Sequence, residues 1–334
     1  MRILVTGGAG FIGSHYVRTV LSGGYPGFEQ AEVTVLDKLT YAGNLANLDP
    51  VAGHPRLRFV RGDICDPALL AAVVPGHDAV LNFAAETHVD RSIAGAADFV
   101  TANVAGVQVL LQACLDASVP RVVQVSTDEV YGSIAAGSWA EDAPLEPNSP
   151  YSAAKAGGDL MARAYARTHG LNVSITRCCN NYGPYQFPEK VIPLFVTNLL
   201  DGEQVPLYGD GGNVRDWIHV ADHCQGIQLV LEQGEPAGIY HINGDAELTN
   251  RELTQAILDS SQAGWDMVRT VPDRKGHDRR YSLDDSKLRA LGYAPQIAFA
   301  DGLAGTVRWY AENRDWWEPL KQRAALAVGG GPGR

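Results

Sequence analysis

The sequence is short of several things, and each shortage closes off a class of function. Its five cysteines form no CxxC pair and no even framework, which removes a disulfide scaffold and a paired-thiol metal knuckle. Cys178 and Cys179 are neighbours, too constrained to bridge each other, so the cysteines read as small core residues in a reduced, cytoplasmic setting. His277 has no second histidine at ligand spacing, and no metal is expected. No basic run offsets a formal charge of −11, which argues against nucleic acid or an anionic membrane as partner. A small anionic ligand held by a few arginines is still compatible with that balance. No apolar run reaches membrane-spanning length, and MRILVTGG opens at once as a strand and turn, so neither a span nor a signal peptide is expected.

What is present is ordinary globular composition. The 334 residues, 46% hydrophobic and 19% charged, suffice for one large or two intimately joined domains. RILVT (2–6), EVTVLD (32–37), LRFVRGD (57–63), DAVLNFAA (78–85), RVVQVST (121–127) and NVSITRCCN (172–180) read as buried strands. Helix-period segments such as FIGSHYVRTVLSGG (11–24) and NVAGVQVLLQACLDAS (103–118) separate most of them. This alternation predicts an α/β fold, a doubly wound parallel Rossmann sheet covered on both faces. Beyond about residue 180 the rhythm loosens: NYGPYQFPEKVIPLF (181–195) holds three prolines, then a helix over 221–233 and a strand GIYHING (238–244) follow. The expected division is a nucleotide-binding domain over 1–180, with 215–245 returning to it. A smaller interleaved α/β lobe would occupy mainly 181–320, and 321–334 would be a flexible, Gly/Pro-rich tail.

VTGGAGFIG (5–13) places Gly7, Gly10 and Gly13 in GxxGxxG spacing between a strand and a helix. Glycines let backbone approach a pyrophosphate, and the helix start at Phe11 and Ile12 offers N–H groups and a positive dipole end. Asp37 ends the second strand, 24 residues after Gly13, where a carboxylate accepts ribose hydroxyls and repels a 2′-phosphate. NAD is therefore expected, while Lys38 next door leaves NADP open. Asp63 and Ile64, ending the third strand, would flank adenine, or merely cap that strand.

Two further segments carry reactive groups. In STDEVYG (126–132) a hydroxyl, Thr127, is followed by adjacent carboxylates, Asp128 and Glu129. Consecutive strand residues face opposite ways, so the two acids can act together only if the strand ends before them. In SPYSAAK (149–155) Ser149 can cap a helix and Pro150 suits its first turn. Tyr151 and Lys155 then share one helical face, and an ammonium near a phenol favours the phenolate. Each pattern has a bland reading too: a polar strand end, and an ordinary amphipathic helix.

Taken together, TGGAGFIG, Asp37, the strand-end hydroxyl and YxxxK resemble the extended short-chain dehydrogenase/reductase superfamily over roughly residues 1–320. Within it, AAETHVDRS (84–92), STDEVYG, RCCNNYGPYQFPEKVIP (177–193), PLYGDGGNVRDWIHV (206–220) and RKGHDRRY (274–281) closely resemble dTDP-glucose 4,6-dehydratases. The resemblance implies an NAD-dependent lyase that oxidises C4 of dTDP-glucose, eliminates water across C5 and C6, and returns hydride to C6. It assigns Thr127 to the C4 oxygen, Tyr151 with Lys155 to its proton, Glu129 to the C5 proton and Asp128 to the departing C6 oxygen. For the cofactor it implies Gly7, Gly10, Phe11, Ile12, Gly13, Asp37, Lys38, Leu39, Thr40, Asp63 and Ile64. Beside them come Phe83, Ala84, Ala85, Thr87, Ala102, Ser126, Tyr151, Lys155, Cys178 and Asn181. The nucleotide sugar would meet Thr87, Thr127, Asn180, Lys190, Val191, Pro206, Tyr208, Arg215, Asn250, Arg274, His277 and Tyr281. Arginine suits a diphosphate because its fork matches phosphate oxygens.

The chain departs from the family pattern in two places. Thr87 stands where Ser is frequent, and Ala102 where Thr is, so any contact at Ala102 would be through backbone. The segments 102–117 and 150–168 imply a homodimer, since such a helix pair forms a four-helix interface in the family. Alternatives remain. A 4-epimerase or decarboxylase would share NAD, Tyr151 and Lys155, yet generally has no use for Asp128 as an acid. A catalytically silent NAD-sensing protein would keep only the fold.

Overall fold

The computed structural model describes residues 1–329. Its strands, in chain order, are β1 (Arg2–Thr6), β2 (Glu32–Asp37), β3 (Leu57–Arg61), β4 (Ala79–Asn82), β5 (Arg121–Thr127), β6 (Val173–Cys178), β7 (Asn180–Tyr182), β8 (Val205–Tyr208), β9 (Val214–His219), β10 (Ile239–Ile242), β11 (Glu247–Thr249) and β12 (Val268–Val271). Seven form one parallel sheet in the order β10-β6-β5-β4-β1-β2-β3. Val5 of β1 sits opposite Val35 of β2 and Leu81 of β4, the register that puts aliphatic residues on both faces. Ile3, Val5, Val33 and Val35 pack under the helices Phe11–Leu21 and Val220–Gln233. Their neighbours Leu4, Leu36 and Val80 pack under Val107, Leu110 and Leu111 on the opposite face. Each such side chain, fully buried, contributes about 1.5–3 kcal/mol.

The strand order reverses at β1, with β2 on one side and β4 on the other. Loops leaving the carboxyl ends of β1 and β4 therefore part to opposite faces and open a crevice. Strand β10 and the helix Val220–Gln233 lie in and on this sheet, while β7, β9 and β11 form a second sheet and β8 with β12 a third. The second core gathers Ile192, Phe195, Trp217, Leu253, Val307 and Trp317.

Two segments differ from the sequence reading. Residues 97–116 are one continuous helical stretch, apolar and long enough by length and composition to cross a membrane, with a mean hydropathy of 1.3. The apolar face of that stretch, Phe99, Val107, Leu110, Leu111 and Cys114, is buried within the protein, as in the core helix of a globular fold. Its middle, Thr101–Gly106, winds as a π-turn, which no apolar periodicity announces. At the other end, the helix Arg314–Gly329 runs through residues 321–329, which the sequence reading assigns to a flexible tail. Lys321 anchors it, with Nζ 2.7 Å from Asp201 and 3.0 Å from Glu203. The rest of that tail, 330–334, lies outside the described residues.

Gly7 turns the chain at φ +67, and a Cβ there would lie 2.6 Å from the Ala84 nitrogen. Gly7→Ala should therefore cost about 2 kcal/mol or more, from left-handed strain plus the clash. Chemical denaturation checks this; unchanged stability would mean the turn is free to reopen.

Candidate active site

The crevice is floored by the turn after β1. The helix Phe11–Leu21 starts there with no side-chain cap and no acidic residue in its first turn. Its first N–H groups are thus left for an anion, which fits a pyrophosphate. Asp37 ends β2 beside this turn, its Oδ2 accepting from Ala9 N at 2.9 Å and Oδ1 from Leu39 N at 2.7 Å. Burial pushes its carboxyl up, and the two N–H bonds oppose that. Lys38 pairs with Asp63 at 2.7 Å, so this cation is already engaged by a carboxylate of the chain. Ile64 is buried against Gly106, and Leu39, at φ 57, leads into Thr40.

Across the crevice, Phe83 and Ala84 touch the glycine turn, and Ala85 continues towards Thr87. Asn103, inside the π-turn, clamps this segment from both sides: Oδ1 accepts from Glu86 N and Nδ2 donates to Glu86 O, each at 2.9 Å. Ala102 precedes that clamp. Ser126, one residue before the end of β5, has a buried Oγ with no hydrogen-bond partner. Cys178 ends β6, and Asn181 donates to its Sγ at 3.4 Å.

The acid pair is where the strand rule requires. β5 stops at Thr127, and Asp128–Tyr131 wind as a single 3-10 turn. Thr127 Oγ1 caps that turn, accepting from Glu129 N at 3.3 Å and donating to Asp128 Oδ1 at 3.0 Å. Burial, then the neighbouring Glu129 carboxylate, raises Asp128 to about 8. Glu129 accepts from Ser152 Oγ at 3.3 Å. Ser152 sits beside Tyr151 on the helix Pro150–His169, capped by Ser149 as expected.

Lys155 donates to the Val125 carbonyl at 2.7 Å and is itself pulled down by burial. Burial and then Glu129 hold the Tyr151 phenol well above its ordinary value, with the Thr87 hydroxyl opposing. The chain's own groups thus favour the neutral phenol, with burial and the Glu129 carboxylate as the causes.

Towards the smaller lobe, Lys190 donates to Thr87 Oγ1 at 3.2 Å, just before Val191 opens the next helix. Arg215, on β9, lies 4.0 Å over the Tyr281 ring and donates to the Asp278 carbonyl at 2.8 Å. Asp278 also accepts from Tyr281 and Asn148, each at 2.6 Å. Asn213 joins the same knot, and Asn250 reaches it only through its N–H to the Asn213 carbonyl. His277 bonds Asp273 at 2.6 Å and stands edge-on to Tyr208, whose strand also carries Pro206. Arg274 has a buried Nε with no partner, a donor apt for a phosphate oxygen. Asn180 lies on β7, paired in register with Trp217.

Sequence reading passed over several of these groups. Ser152 lay inside a quoted motif, but nothing in its spacing tied it to Glu129. His88, between AAET and VDRS, sits at φ 83 with a buried, unpartnered Nδ1, near the cations Lys190, Arg91 and Arg274. His219 and His223 do have a four-residue ligand spacing that the expectation of no metal left out. His223 instead turns Nδ1 to Asn181 Oδ1 at 2.7 Å, and burial takes it down to about 3.

A hydroxyl, a phenol and a lysine gathered where a parallel sheet reverses its order make this a short-chain dehydrogenase/reductase, with two carboxyl groups added. More narrowly, the chain belongs to the GDP-mannose 4,6 dehydratase family, whose model matches residues 4–306. It is 63% identical over 322 residues to a dTDP-glucose 4,6-dehydratase of Streptomyces niveus, covering 96% of each chain. The crystal structure of the dTDP-glucose 4,6-dehydratase DesIV from Streptomyces venezuelae, with NAD and dTDP bound, is similar at a TM-score of 0.95 and 68% identity, over 96% of this chain and 100% of that one. A UDP-glucose 4-epimerase from Thermus thermophilus in complex with NAD is similar too, with a TM-score of 0.85 and 32% identity over 94% and 100%. The fold alone therefore does not separate the two reactions.

Asp128 gives a pH prediction. Its folded value, about 8, lies above the ordinary carboxyl value, so its favourable contribution is fully present below about pH 4 and is lost as pH rises through 8. Asp128→Asn stays neutral throughout and should gain stability on the parent between pH 5 and pH 8. Urea denaturation at both values measures it, and an equal difference at the two would contradict the buried, protonated acid.

Proposed function

We infer that the protein is an NAD-dependent dTDP-glucose 4,6-dehydratase, converting dTDP-glucose to dTDP-4-keto-6-deoxyglucose. The observation that carries this is the protonatable, buried Asp128 next to Glu129 on a turn facing Thr127 and Tyr151. An epimerase, which only oxidises and re-reduces the sugar carbon, has no water to expel and no task for that acid.

The residues present fit NAD: an uncapped helix start for the diphosphate, Asp37 for the ribose, and an open Ser126 hydroxyl. When bound, NAD accepts hydride from C4 and gives it back to C6. Thr127 would orient the C4 oxygen, and Tyr151 would take its proton as the phenolate, which the positive charges of Lys155 and of the oxidised nicotinamide favour against burial. The C4 ketone acidifies C5–H, and Glu129, held in direction by Ser152, removes that proton. Asp128 would deliver its proton to the C6 oxygen as the C–O bond breaks, so water leaves neutral, and the proton held on Glu129 would return to C5 as hydride reaches C6. Arg215, Arg274 and Lys190 would neutralise the diphosphate, with Tyr208, His277, Tyr281, Pro206 and Asn250 around the nucleoside. The five free cysteines support a reducing compartment.

Single-turnover absorbance of enzyme-bound NADH, with quenched product analysis, tests the roles. Asp128→Asn should leave C4 oxidation intact while dehydration slows by about 10²–10⁴-fold. Glu129→Gln should slow C5 proton exchange, and Tyr151→Phe should give no transient NADH. Dehydration at wild-type speed in Asp128→Asn would remove the main support for this reading.

A homodimer is proposed on a surface feature. Ile93, Val100 and Leu160 are 42%, 52% and 53% exposed, on the adjacent helices Val89–Ala94, Ala97–Val100 and Pro150–His169. Light scattering at micromolar concentration should give twice the chain mass, and Leu160→Arg should lower it. A monomer for the unsubstituted chain would defeat the idea.

A further inference from the structure

Beneath the reacting turn lies a buried polar network to which the reaction as written assigns no task. Tyr131 closes the turn that bears Asp128 and Glu129, and it is 1% exposed. Arg177 and Asp159 form an ion pair at 2.9 Å with both side chains fully buried. The Arg177 guanidinium lies over the Tyr131 ring and donates Nη1 to its hydroxyl. On the other side that hydroxyl meets His241 Nε2 at 2.7 Å.

The proton positions follow from the partners. His241 Nδ1 faces the Asp284 carbonyl at 2.8 Å, and a carbonyl only accepts, so Nδ1 carries the hydrogen. Burial takes His241 down to about 3, which keeps the ring neutral and leaves Nε2 as an acceptor. Tyr131 therefore donates to His241 and accepts from Arg177, and its orientation has no alternative. Trp139 stacks on the ring at 5.9 Å. Gly132 follows at φ +75, where any Cβ would run into the Glu146 carbonyl, so the turn is gripped at its exit as well. Asp159 stands one helical turn beyond Lys155, on the helix that also carries Tyr151.

A buried ion pair adds little stability over apolar packing of equal volume. What it supplies here is direction, since it joins the turn of the acid pair to the helix of the Tyr–Lys pair. We propose that Tyr131 is a positioning residue for the elimination step, held by Arg177, Asp159 and His241 so that Asp128 and Glu129 keep their register with Tyr151 and Lys155. This rests on the dehydratase reading, which wild-type conversion of dTDP-glucose to the 4-keto product tests separately.

Tyr131→Phe keeps the ring on Trp139 and removes only the hydroxyl. In the NAD-loaded variant, bound NADH should form at close to the wild-type rate with KM unchanged. Dehydration should be about 10- to 100-fold slower, the scale of loss that slight misplacement of reacting groups produces. The alkaline limb of dehydration should also move to lower pH, as water reaches a loosened Asp128. The other groups facing Asp128 are Glu129 on its own turn, Arg215 and Asp216 from β9, Tyr151 from the helix, Cys178 from β6 and Cys179 just after it. None is altered, so a shift reports the turn itself. His241→Gln, acting from β10 and outside the reacting set, should give the same split and serves if Tyr131→Phe does not fold. Equal slowing of both steps, or wild-type dehydration with an unmoved limb, would overturn the proposal. Loss of fold in both variants would overturn it too, by making the network a folding element.

Discussion

Two carboxyl groups adjacent in sequence cannot face one substrate from an extended strand, and the geometry of the whole site follows from how this is resolved. Strand β5 stops at Thr127, and a single 3-10 turn takes Asp128 and Glu129 out of the strand's alternation while keeping them close enough for Glu129 to raise Asp128. The turn is capped by the Thr127 hydroxyl, so the same side chain that ends the strand fixes the start of the acids' turn. Burial does the rest. Asp128 is 3% exposed and raised to about 8, which makes it an acid at neutral pH without any cation removed from its surroundings.

Charge is distributed with the same economy. The chain is strongly acidic, yet Lys190, Arg215 and Arg274 converge from three separate stretches of the smaller lobe onto the crevice. Asp278 makes that convergence possible. Its carbonyl and carboxylate take bonds from Arg215, Asn213, Tyr281 and Asn148, and so orient an arginine without neutralising it with a carboxylate. An ion pair there would have weakened the site for a diphosphate; a carbonyl partner does not.

Much of this was legible in the sequence, and what was not has physical reasons. Buried parallel strands advertise themselves as short apolar runs, and all six of the first half stand where the runs do. The Ser149 cap and the end of β5 were readable because both are local. Ser152 on Glu129, Asn103 on Glu86 and the Asp278 knot join residues 23, 17 and 63 positions apart, and no periodicity encodes such meetings. The burial that raises the Tyr151 phenol comes from the same kind of distant packing, which a lysine four residues along the helix does not reveal. The last helix was missed because Gly- and Pro-rich composition at 327–334 masked the tryptophans and ion pairs that hold 314–321 down.

Those tryptophans bear on the chemistry. A reaction that borrows a hydride and returns it gains from a cofactor that stays between the two steps. Trp316, on the final helix, donates Nε1 to Asn47 Oδ1 at 3.0 Å, and Asn47 donates Nδ2 to the Ala9 carbonyl at 2.9 Å. Ala9 in turn donates its N–H to Asp37 at 2.9 Å, completing a chain from the end of the smaller lobe to the carboxylate that ends β2. Arg18, from the helix that starts at the glycine turn, lies 4.2 Å over Tyr185, whose ring packs against Trp309 and Trp316. The glycine turn is therefore braced by residues more than 250 positions away. To loosen it, the aromatic cluster of the second lobe has to part as well, so the two lobes share one set of contacts at the glycine turn.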